Sequence, residues 1–459
     1  YEDYLFQNDI VVNGYSKGSS FEKVTIPTSI ISLDYWIRVA SIIRCYLMDS
    51  NNQILPEPYN HLANGVALGI RSDIPQNIID NYMYGGIYHL LVVSGGNLML
   101  LAGLVIVGIK RIGFKRRTAW IMAIPAILIY AWMVGWTAPV TRATLGTLLF
   151  IGGRLLRRDV DPYQTLGLAG WVILLVNPMA LWDSGFQLSF MAVLGIVSLG
   201  PIMMENLKGP LWLKGTVSVT LAATLGTLPI QINAFHYLSI ATLITNLIAL
   251  PIISLSLPLS LISGCLYGVF PLLAKILAGS NYLALSSLTK MTEIIVSIPF
   301  SWISIPDMHW LWTVFYYLLM GVFVWIFSKD IDEIDVKLRK KWLLAFILFT
   351  GFTIALVIPI SLESKKLKVT VLDVGQGDSL LIETPNYQTL LVDGGGDKPR
   401  DTGRMILLPY LRRLGIRSLD VLIITHFDSD HVGGLISLLK WMPVREVWVG
   451  HGSLDGANE

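Results

Sequence analysis

The residues best suited to chemistry lie in a short loop that carries two histidines and two aspartates. Residues 422–434 read Leu-Ile-Ile-Thr-His-Phe-Asp-Ser-Asp-His-Val-Gly-Gly, which places His426, Asp428, Asp430 and His431 close together. The apolar run before them predicts a buried strand that ends at the loop. Imidazole nitrogens and carboxylate oxygens are a mixed ligand set that suits zinc or manganese. The loop therefore predicts a metal site with Asp430 and His431 as catalytic candidates; the alternative is a solvated acidic loop.

A second segment places polar residues where a membrane-spanning helix is expected. Residues 88–98 read Tyr-His-Leu-Leu-Val-Val-Ser-Gly-Gly-Asn-Leu. Two adjacent glycines loosen a helix, which at membrane depth is tolerated only where the backbone faces protein or a water-filled cavity. Polar groups are costly in lipid and should point inward. The segment predicts a pore lining made of His89, Ser94, Gly95, Gly96 and Asn97. The alternative is close helix packing at the glycines, with His89 at the membrane interface.

The composition indicates that a bilayer surrounds most of the chain. Of the 459 residues, 53% are hydrophobic and 14% are charged, and the mean hydropathy is +0.60. Such values exclude an ordinary water-soluble globular protein. The formal net charge of +2 is too small to indicate a polyanionic partner by itself.

The elements that position these residues follow from hydrophobic patterning, which predicts about ten membrane-spanning helices. The predicted spans within 86–361 are 88–109, 118–136, 140–155, 165–182, 187–205, 215–234, 239–257, 259–278, 310–327 and 343–361. Residues 35–85 are predicted to form interfacial amphipathic helices. The stretch 281–300 is interrupted by Lys290 and Glu293 and is predicted to be an amphipathic helix on the membrane surface.

The flanking regions are predicted to lie outside the membrane. Residues 1–34 are mixed and strand-like, and after Lys365 the apolar period changes to two. A period of two predicts strands, so a soluble α/β domain is expected over 366–459. Basic residues cluster in 110–117, 154–158 and 337–341. The positive-inside rule places these clusters in the cytoplasm, and the α/β domain outside it if 281–300 does not cross.

In their order along nearly the whole chain, the motifs resemble the ComEC competence proteins. The family stretch His-Leu-Leu-Ala-Ile-Ser-Gly-Leu-His resembles residues 89–97, where Gly96 and Asn97 replace the usual Leu and His. Residues 140–143 resemble Val-x-Arg-Ala, and 183–190 resemble Asp-x-Gly-Phe-Gln-Leu-Ser-Phe. The resemblance adds to the channel candidates Arg142, Asp183, Gln187 and Asn246.

The C-terminal segment resembles the metallo-β-lactamase motif His-x-His-x-Asp-His, with Asp428 in place of the second histidine. Residues 371–379 and 391–396 match the two opening hairpins of this branch, whose glycines permit tight turns near the site. The resemblance implies an αββα sandwich and two divalent ions, zinc or manganese. His426 and Asp428 would bind the first ion, and Asp430 and His431 the second.

The chain is interpreted as a fragment. Residues 1–34 resemble the end of an OB-like domain, and residues 366–459 resemble only the N-terminal part of the hydrolase domain. Metal-dependent hydrolase activity is therefore expected of the full-length protein.

The resemblance implies a DNA internalisation channel of natural transformation in the bacterial cytoplasmic membrane. One DNA strand would cross as single-stranded DNA, while a phosphodiesterase domain outside the cell degrades the other. The expected partners are DNA, the lipid bilayer, a DNA receptor and a separate cytoplasmic ATP-driven motor, because the chain holds no Walker-type Gly-x-x-x-x-Gly-Lys-Ser/Thr sequence. Two alternatives are a non-enzymatic DNA channel with an incomplete hydrolase domain, and a transporter coupled to hydrolysis of another ester.

Overall fold

The computed structural model describes residues 33–328, 366–396 and 401–450. Three predicted regions lie outside the described residues: the OB-like piece up to residue 32, the third basic cluster at 337–341 and the span 343–361. Residues 33 and 34, predicted as part of the OB-like piece, belong to the first described helix. The chain divides into two compact units, one of Tyr1–Thr227 with Ser239–Ser301 and one of Leu228–Leu238 with Trp302–Glu459.

Helices dominate the first unit. They are α1 (Leu33–Ile54), α2 (Tyr59–Leu68), α3 (Gln76–Tyr84), α4 (Gly95–Arg111), α5 (Arg116–Val134), α6 (Ala138–Leu156), α7 (Pro162–Val176), α8 (Ser184–Asn206), α9 (Leu211–Phe235), α10 (Thr242–Tyr267) and α11 (Pro271–Ser297). The last turns of α9 belong to the second unit. The core is a continuous cluster of apolar side chains in which Leu62, Leu91, Ile127 and Leu257 are fully buried.

The described residues contain six helices that are long and apolar enough to cross a membrane, so the predicted count of ten is not confirmed. These are Tyr88–Arg111, Arg116–Val134, Ser184–Asn206, Leu211–Phe235, Thr242–Tyr267 and Trp310–Phe327. The predicted span 165–182 is the shorter apolar helix Pro162–Val176. The predicted spans 239–257 and 259–278 were divided at the wrong place, because α10 continues through Pro258 and the break falls between α10 and α11.

The helix α11 is amphipathic, as predicted for 281–300, but it begins earlier, at Pro271. Asn281, Leu285 and Thr292 are buried on one face, while Lys290 and Glu293 form an exposed ion pair at 3.5 Å. A charged pair at this spacing lies on one side of a helix. The position of α11 relative to the bilayer stays a prediction.

The predicted loosening near Gly95 is present as a break in the helical backbone. A 3-10 turn covers Tyr88–Leu90, and α4 begins only at Gly95, after Ser94 in extended conformation with φ −110° and ψ 172°. The backbone between the two is not helical. Non-helical backbone of this kind needs protein or water as its neighbour if it lies at membrane depth.

The second unit contains most of the strands, as the period of two predicts. Its elements are β1 (Tyr237–Ser239, shared with the first unit), β2 (Trp302–Ser304), α12 (Trp310–Ser328), β3 (Lys368–Val371), β4 (Leu380–Glu383), β5 (Thr389–Val392), α13 (Leu408–Arg413), β6 (Leu419–Ile424), α14 (Ser429–Val432), α15 (Leu435–Trp441) and β7 (Val444–Val449). The strands β3 to β7 form one sheet in sequence order.

The sheet changes from antiparallel to parallel pairing at β5, and this change positions the site. The strands β3, β4 and β5 pair antiparallel, whereas β5 pairs parallel with β6, with Val392 opposite Ile423. Leu381, Leu391 and Leu422 are neighbours on adjacent strands of the sheet, and their side chains are fully buried. Because the carboxyl ends of parallel strands meet at one edge, the residues after β5 and β6 become neighbours.

Candidate functional site

The four predicted metal ligands lie in the loop and the short helix that follow β6. The strand ends at Ile424 and α14 begins at Ser429, which places His426 and Asp428 in the loop. Asp428 occupies the N-cap position of α14, but its side chain makes no capping bond and is 77% exposed. Its carboxylate is therefore open to solvent and can bind a ligand.

Asp393, which directly follows β5, connects the loop to the sheet. Its side chain is buried, with 3% of the surface exposed. The backbone N–H of Thr425 donates to Asp393 Oδ1 at 2.9 Å, and the Thr425 hydroxyl donates to Oδ2 at 2.5 Å. His431 Nδ1 lies 2.9 Å from the same Oδ2 atom. An ionised carboxylate only accepts hydrogen bonds, so Asp393 holds three donors.

These contacts fix the proton positions of both imidazoles. His431 Nδ1 carries the proton that it donates to Asp393, so His431 Nε2 is an acceptor when the ring is neutral. The Thr425 hydroxyl has one proton, which it donates to Asp393, so it accepts from His426 Nδ1 at 2.9 Å. His426 Nε2 is then free as well. A buried carboxylate that orients a histidine through its second nitrogen is the usual arrangement behind a metal-binding histidine.

The free nitrogens face the remaining predicted ligands. His426 Nε2 lies 3.4 Å from Asp428 Oδ2, His431 Nε2 lies 3.9 Å from Asp430 Oδ2, and the two ring centroids are 3.8 Å apart. The donor set of two unprotonated nitrogens and two carboxylates fits a divalent ion such as zinc.

Sequence reasoning missed Asp393 as a site residue. Ligand atoms of Asp393, His426 and His431 lie within 4.8 Å of one another, so Asp393 is a member of the cluster by distance. Since its two oxygens already accept the bonds from Thr425 and His431, we interpret it as the residue that orients the ligands. The available signal was an aspartate directly after a predicted strand and before three glycines.

Two glycines allow the opening hairpins to approach the loop closely, as predicted. A Cβ atom on Gly377, whose φ is +84°, would collide with the carbonyl of Asp430, and one on Gly396 would collide with the carbonyl of Ser429. Side chains at these positions would push α14 away from the sheet.

The environment also changes the acidity of His431. Its pKa is raised from the ordinary value, first because the ring donates a hydrogen bond to Asp393. Burial acts in the opposite direction, and the negative charges of Asp393, Asp430 and Asp378 add to the increase. Nearby carboxylates favour the charged imidazolium, so protons compete with a metal ion at this residue.

A second group of predicted residues meets at the beginning of α4. Arg142 of α6 donates from Nε to the Ser189 hydroxyl of α8 at 2.8 Å. A Cβ atom added to Gly95 would lie 3.5 Å from a terminal nitrogen of the Arg142 guanidinium. Three separate sequence motifs thus converge on one arginine.

The other predicted channel residues occupy different environments. Asn97 is buried and donates to the carbonyl of Val66 at 3.2 Å, whereas His89 and Gly96 are exposed. Ser94 is half-buried, with its hydroxyl 3.4 Å from Asn97 Oδ1.

Of the last three channel candidates, Asp183 lies at the start of α8, Gln187 lies in its first turns and Asn246 lies on α10. Asp183 caps α8 by accepting from the backbone N–H of Phe186 at 2.9 Å. Gln187 donates to the carbonyl of Leu181 at 2.9 Å. Asn246 is buried on α10. Asp183 and Gln187 therefore shape the turn before α8, a structural role that the sequence pattern did not indicate.

Comparison with protein families gives two matches. A sequence model of the Competence protein family matches residues 66–330, which is more than half of the chain. A model of the Metallo-beta-lactamase superfamily matches residues 372–456, and this match implies that the domain binds divalent metal ions. No solved structure matches the chain.

Several curated proteins are similar over most of the chain. ComE operon protein 3 of Bacillus subtilis (strain 168) is 27% identical, over 98% of this chain and 58% of its own length. Competence protein ComA of Neisseria gonorrhoeae is 27% identical, over 85% of this chain and 53% of its own length. Recombination protein 2 of Haemophilus influenzae (strain ATCC 51907 / DSM 11121 / KW20 / Rd) is 26% identical, over 83% of this chain and 52% of its own length. The chain thus spans somewhat more than half the length of these relatives.

Proposed function

Because the chain belongs to the Competence protein family, we propose that it forms the passage through which one DNA strand crosses the bacterial cytoplasmic membrane. Its C-terminal domain would be a metal-dependent phosphodiesterase that degrades the other strand. The proposal rests on one observation: the same chain contains apolar helices in the region that matches the Competence family and a cluster of metal-donor residues in a lactamase-type domain.

The group around Arg142 supports a passage for a polyanion. Among the residues that the structure describes, no carboxylate forms an ion pair with this guanidinium, and its hydrogen-bond partner is the neutral hydroxyl of Ser189. Guanidinium groups bind phosphate with paired hydrogen bonds. The guanidinium lies beside Gly95 at the first turn of α4, where the helix dipole also favours negative charge. A DNA backbone passing this point would find two sources of attraction.

The lactamase-type domain supplies donors that suit phosphodiester hydrolysis. His426 and Asp428 would hold one divalent ion, and Asp430 and His431 a second. Such ions, when bound, lower the pKa of water and stabilise negative charge on phosphoryl oxygens. Asp393 and Thr425 keep the two imidazoles in the tautomers that leave both Nε2 atoms free. The reaction would add water across one phosphorus–oxygen bond, with one product carrying the phosphate and the other the hydroxyl. A DNA receptor and an ATP-driven motor on other chains complete the proposal.

The nuclease part is tested by replacing Asp430 in the purified full-length protein. We expect Asp430→Ala to lower metal-dependent DNA cleavage by more than about 100-fold, which exceeds the usual cost of losing an outer-sphere partner. Glu446→Ala, which removes an exposed carboxylate from β7, is the matched control and should cleave normally. Cleavage would be followed on labelled duplex DNA with and without a chelator. Activity that survives both the chelator and Asp430→Ala would leave a DNA channel without this hydrolase activity.

A further inference from the structure

The segment Trp302–Met308, which begins with β2 and ends just before α12, contacts the end of α9. The backbone N–H of Ile305 donates to the carbonyl of His236 at 3.0 Å. The backbone N–H of Met308 donates to Asn233 Oδ1 at 2.7 Å. These bonds attach the segment to the last residues of a predicted membrane span.

The same segment also contacts the last two residues of α13 in the lactamase-type domain, Arg412 and Arg413. Arg413 Nε donates to Asp307 Oδ2 at 2.6 Å. The Arg412 guanidinium lies 4.9 Å from the centroid of the Trp302 ring, a distance that allows a cation–π contact. Trp441 of α15 meets Trp302 edge to face, with centroids 6.3 Å apart.

Asp307 joins the two sides. Its Oδ2 atom holds Arg413, while its Oδ1 atom lies 3.0 Å from Nδ1 of His236. Since one carboxylate has separate oxygens for the two partners, the α9 end and α13 are held by the same side chain. Asp307 is 39% exposed and Arg413 is 61% exposed. The ion pair is therefore solvated and contributes more to alignment than to affinity.

We propose that Trp302–Met308 is the docking segment that holds the lactamase-type domain against the end of α9. Trp302 supplies the contact surface for Arg412 and Trp441, and the Asp307–Arg413 pair sets the alignment. The docking stands independently of the proposed nuclease activity, because it involves none of the metal-donor residues. Its partner is a segment of the same chain, recognised by one aromatic ring and one carboxylate.

Cross-linking of the full chain in membranes tests the docking. Cys45 and Cys265 are free and exposed, so both are first replaced by serine. Ser304→Cys on β2 and Lys440→Cys on α15, which flank the Trp302–Trp441 contact and leave both rings in place, are then introduced as a pair and joined with a bifunctional thiol reagent. We expect efficient cross-linking, which either Asp307→Arg or Arg413→Asp lowers about fivefold, the upper range for an exposed pair. The exchange Asp307→Arg with Arg413→Asp should raise the yield above that of either single variant, because the ion pair is re-formed even though the contact between Asp307 and His236 is lost.

The exposed pair Lys290–Glu293 provides the matched control, since exchanging its charges should leave the cross-linking yield unchanged. Membrane content of each variant is measured by immunoblot, so that cross-linking is compared per inserted molecule. A yield in the double exchange above that of either single variant supports the docking. A yield that stays high in both single variants, or does not rise in the double exchange, overturns it.

Discussion

Asp393 is the residue that determines how the candidate metal centre presents its ligands. It receives bonds from Thr425 and from His431, and through the Thr425 hydroxyl it also fixes His426. Removing one carboxylate would therefore disturb both imidazoles, although that carboxylate is buried behind them. The charge of Asp393 is as important as its shape, since it raises the pKa of His431.

The substitution Asp393→Asn should lower the pKa of His431 toward its ordinary value, because the charged acceptor is lost. In the metal-free protein the pKa of His431 is higher in the folded than in the unfolded state, so the His431–Asp393 pair stabilises the fold. This stabilisation is fully present below a pH of about 6.5, the ordinary pKa of histidine. That contribution is lost as the pH rises through the raised value. Zinc affinity should also fall, by about 10- to 100-fold. Histidine hydrogen–deuterium exchange, read by mass spectrometry, measures the pKa.

Asp420→Asn is the control for this experiment, because Asp420 accepts from the backbone N–H of Thr389 at 2.8 Å and, within the described part of the chain, bonds to neither histidine. An unchanged exchange midpoint for His431 in Asp393→Asn would contradict the assigned contact.

At this scale the sequence predicted the loop ligands but not the residue that orients them. His426, Asp428, Asp430 and His431 are adjacent along the chain, so their proximity follows from spacing alone. Asp393 joins them only because β5 and β6 pair in parallel, with Val392 opposite Ile423. Such a pairing is a long-range property that local patterns do not specify.

At the scale of elements, the start of α4 is the place where mutation can distinguish the predicted passage from ordinary helix packing. The helix begins at Gly95, after a non-helical stretch. Gly95 lies beside Arg142 and Ala143, each 3.5 Å from the position of an added Cβ. A methyl group at position 95 would thus make ordinary van der Waals contacts, whereas a larger side chain there would displace Arg142.

We expect Gly95→Ala to retain DNA uptake and Gly95→Leu to abolish it while both proteins insert normally. The control is Gly103→Leu on the same helix, because a Cβ atom at Gly103 meets nothing within 4 Å. Transformation frequency and membrane content would be measured for all three variants. Normal transformation in Gly95→Leu would assign the glycines to helix packing alone.

The positions of helices were predicted better than their ends. The predicted boundary between the spans 239–257 and 259–278 falls at Pro258, yet this residue lies inside α10, as does Pro251. Membrane helices tolerate proline because neighbouring groups satisfy the freed backbone carbonyls. The actual break lies at Gly268–Phe270, between α10 and α11. It was hidden within an apolar run, where hydropathy does not distinguish a turn from a helix.

At the scale of the whole molecule, the orientation in the membrane stays a prediction of the positive-inside rule. In a variant without Cys45 and Cys265, a cysteine at Ser429 should react with a membrane-impermeant thiol reagent in intact cells stripped of their wall. A cysteine at Arg157 should react only after the membrane is breached. Labelling of Ser429→Cys only after breach would place the lactamase-type domain in the cytoplasm.

The central claim is that one chain passes one DNA strand and its lactamase-type domain degrades the other. The most direct measurement supplies competent cells with duplex DNA labelled on one strand at a time, and follows the label inside the cells and in the medium. We predict that one strand enters intact, that an equal amount of nucleotide is released outside, and that Asp430→Ala abolishes this release. Entry of both strands as duplex, or unchanged release of nucleotides in Asp430→Ala, would contradict the account.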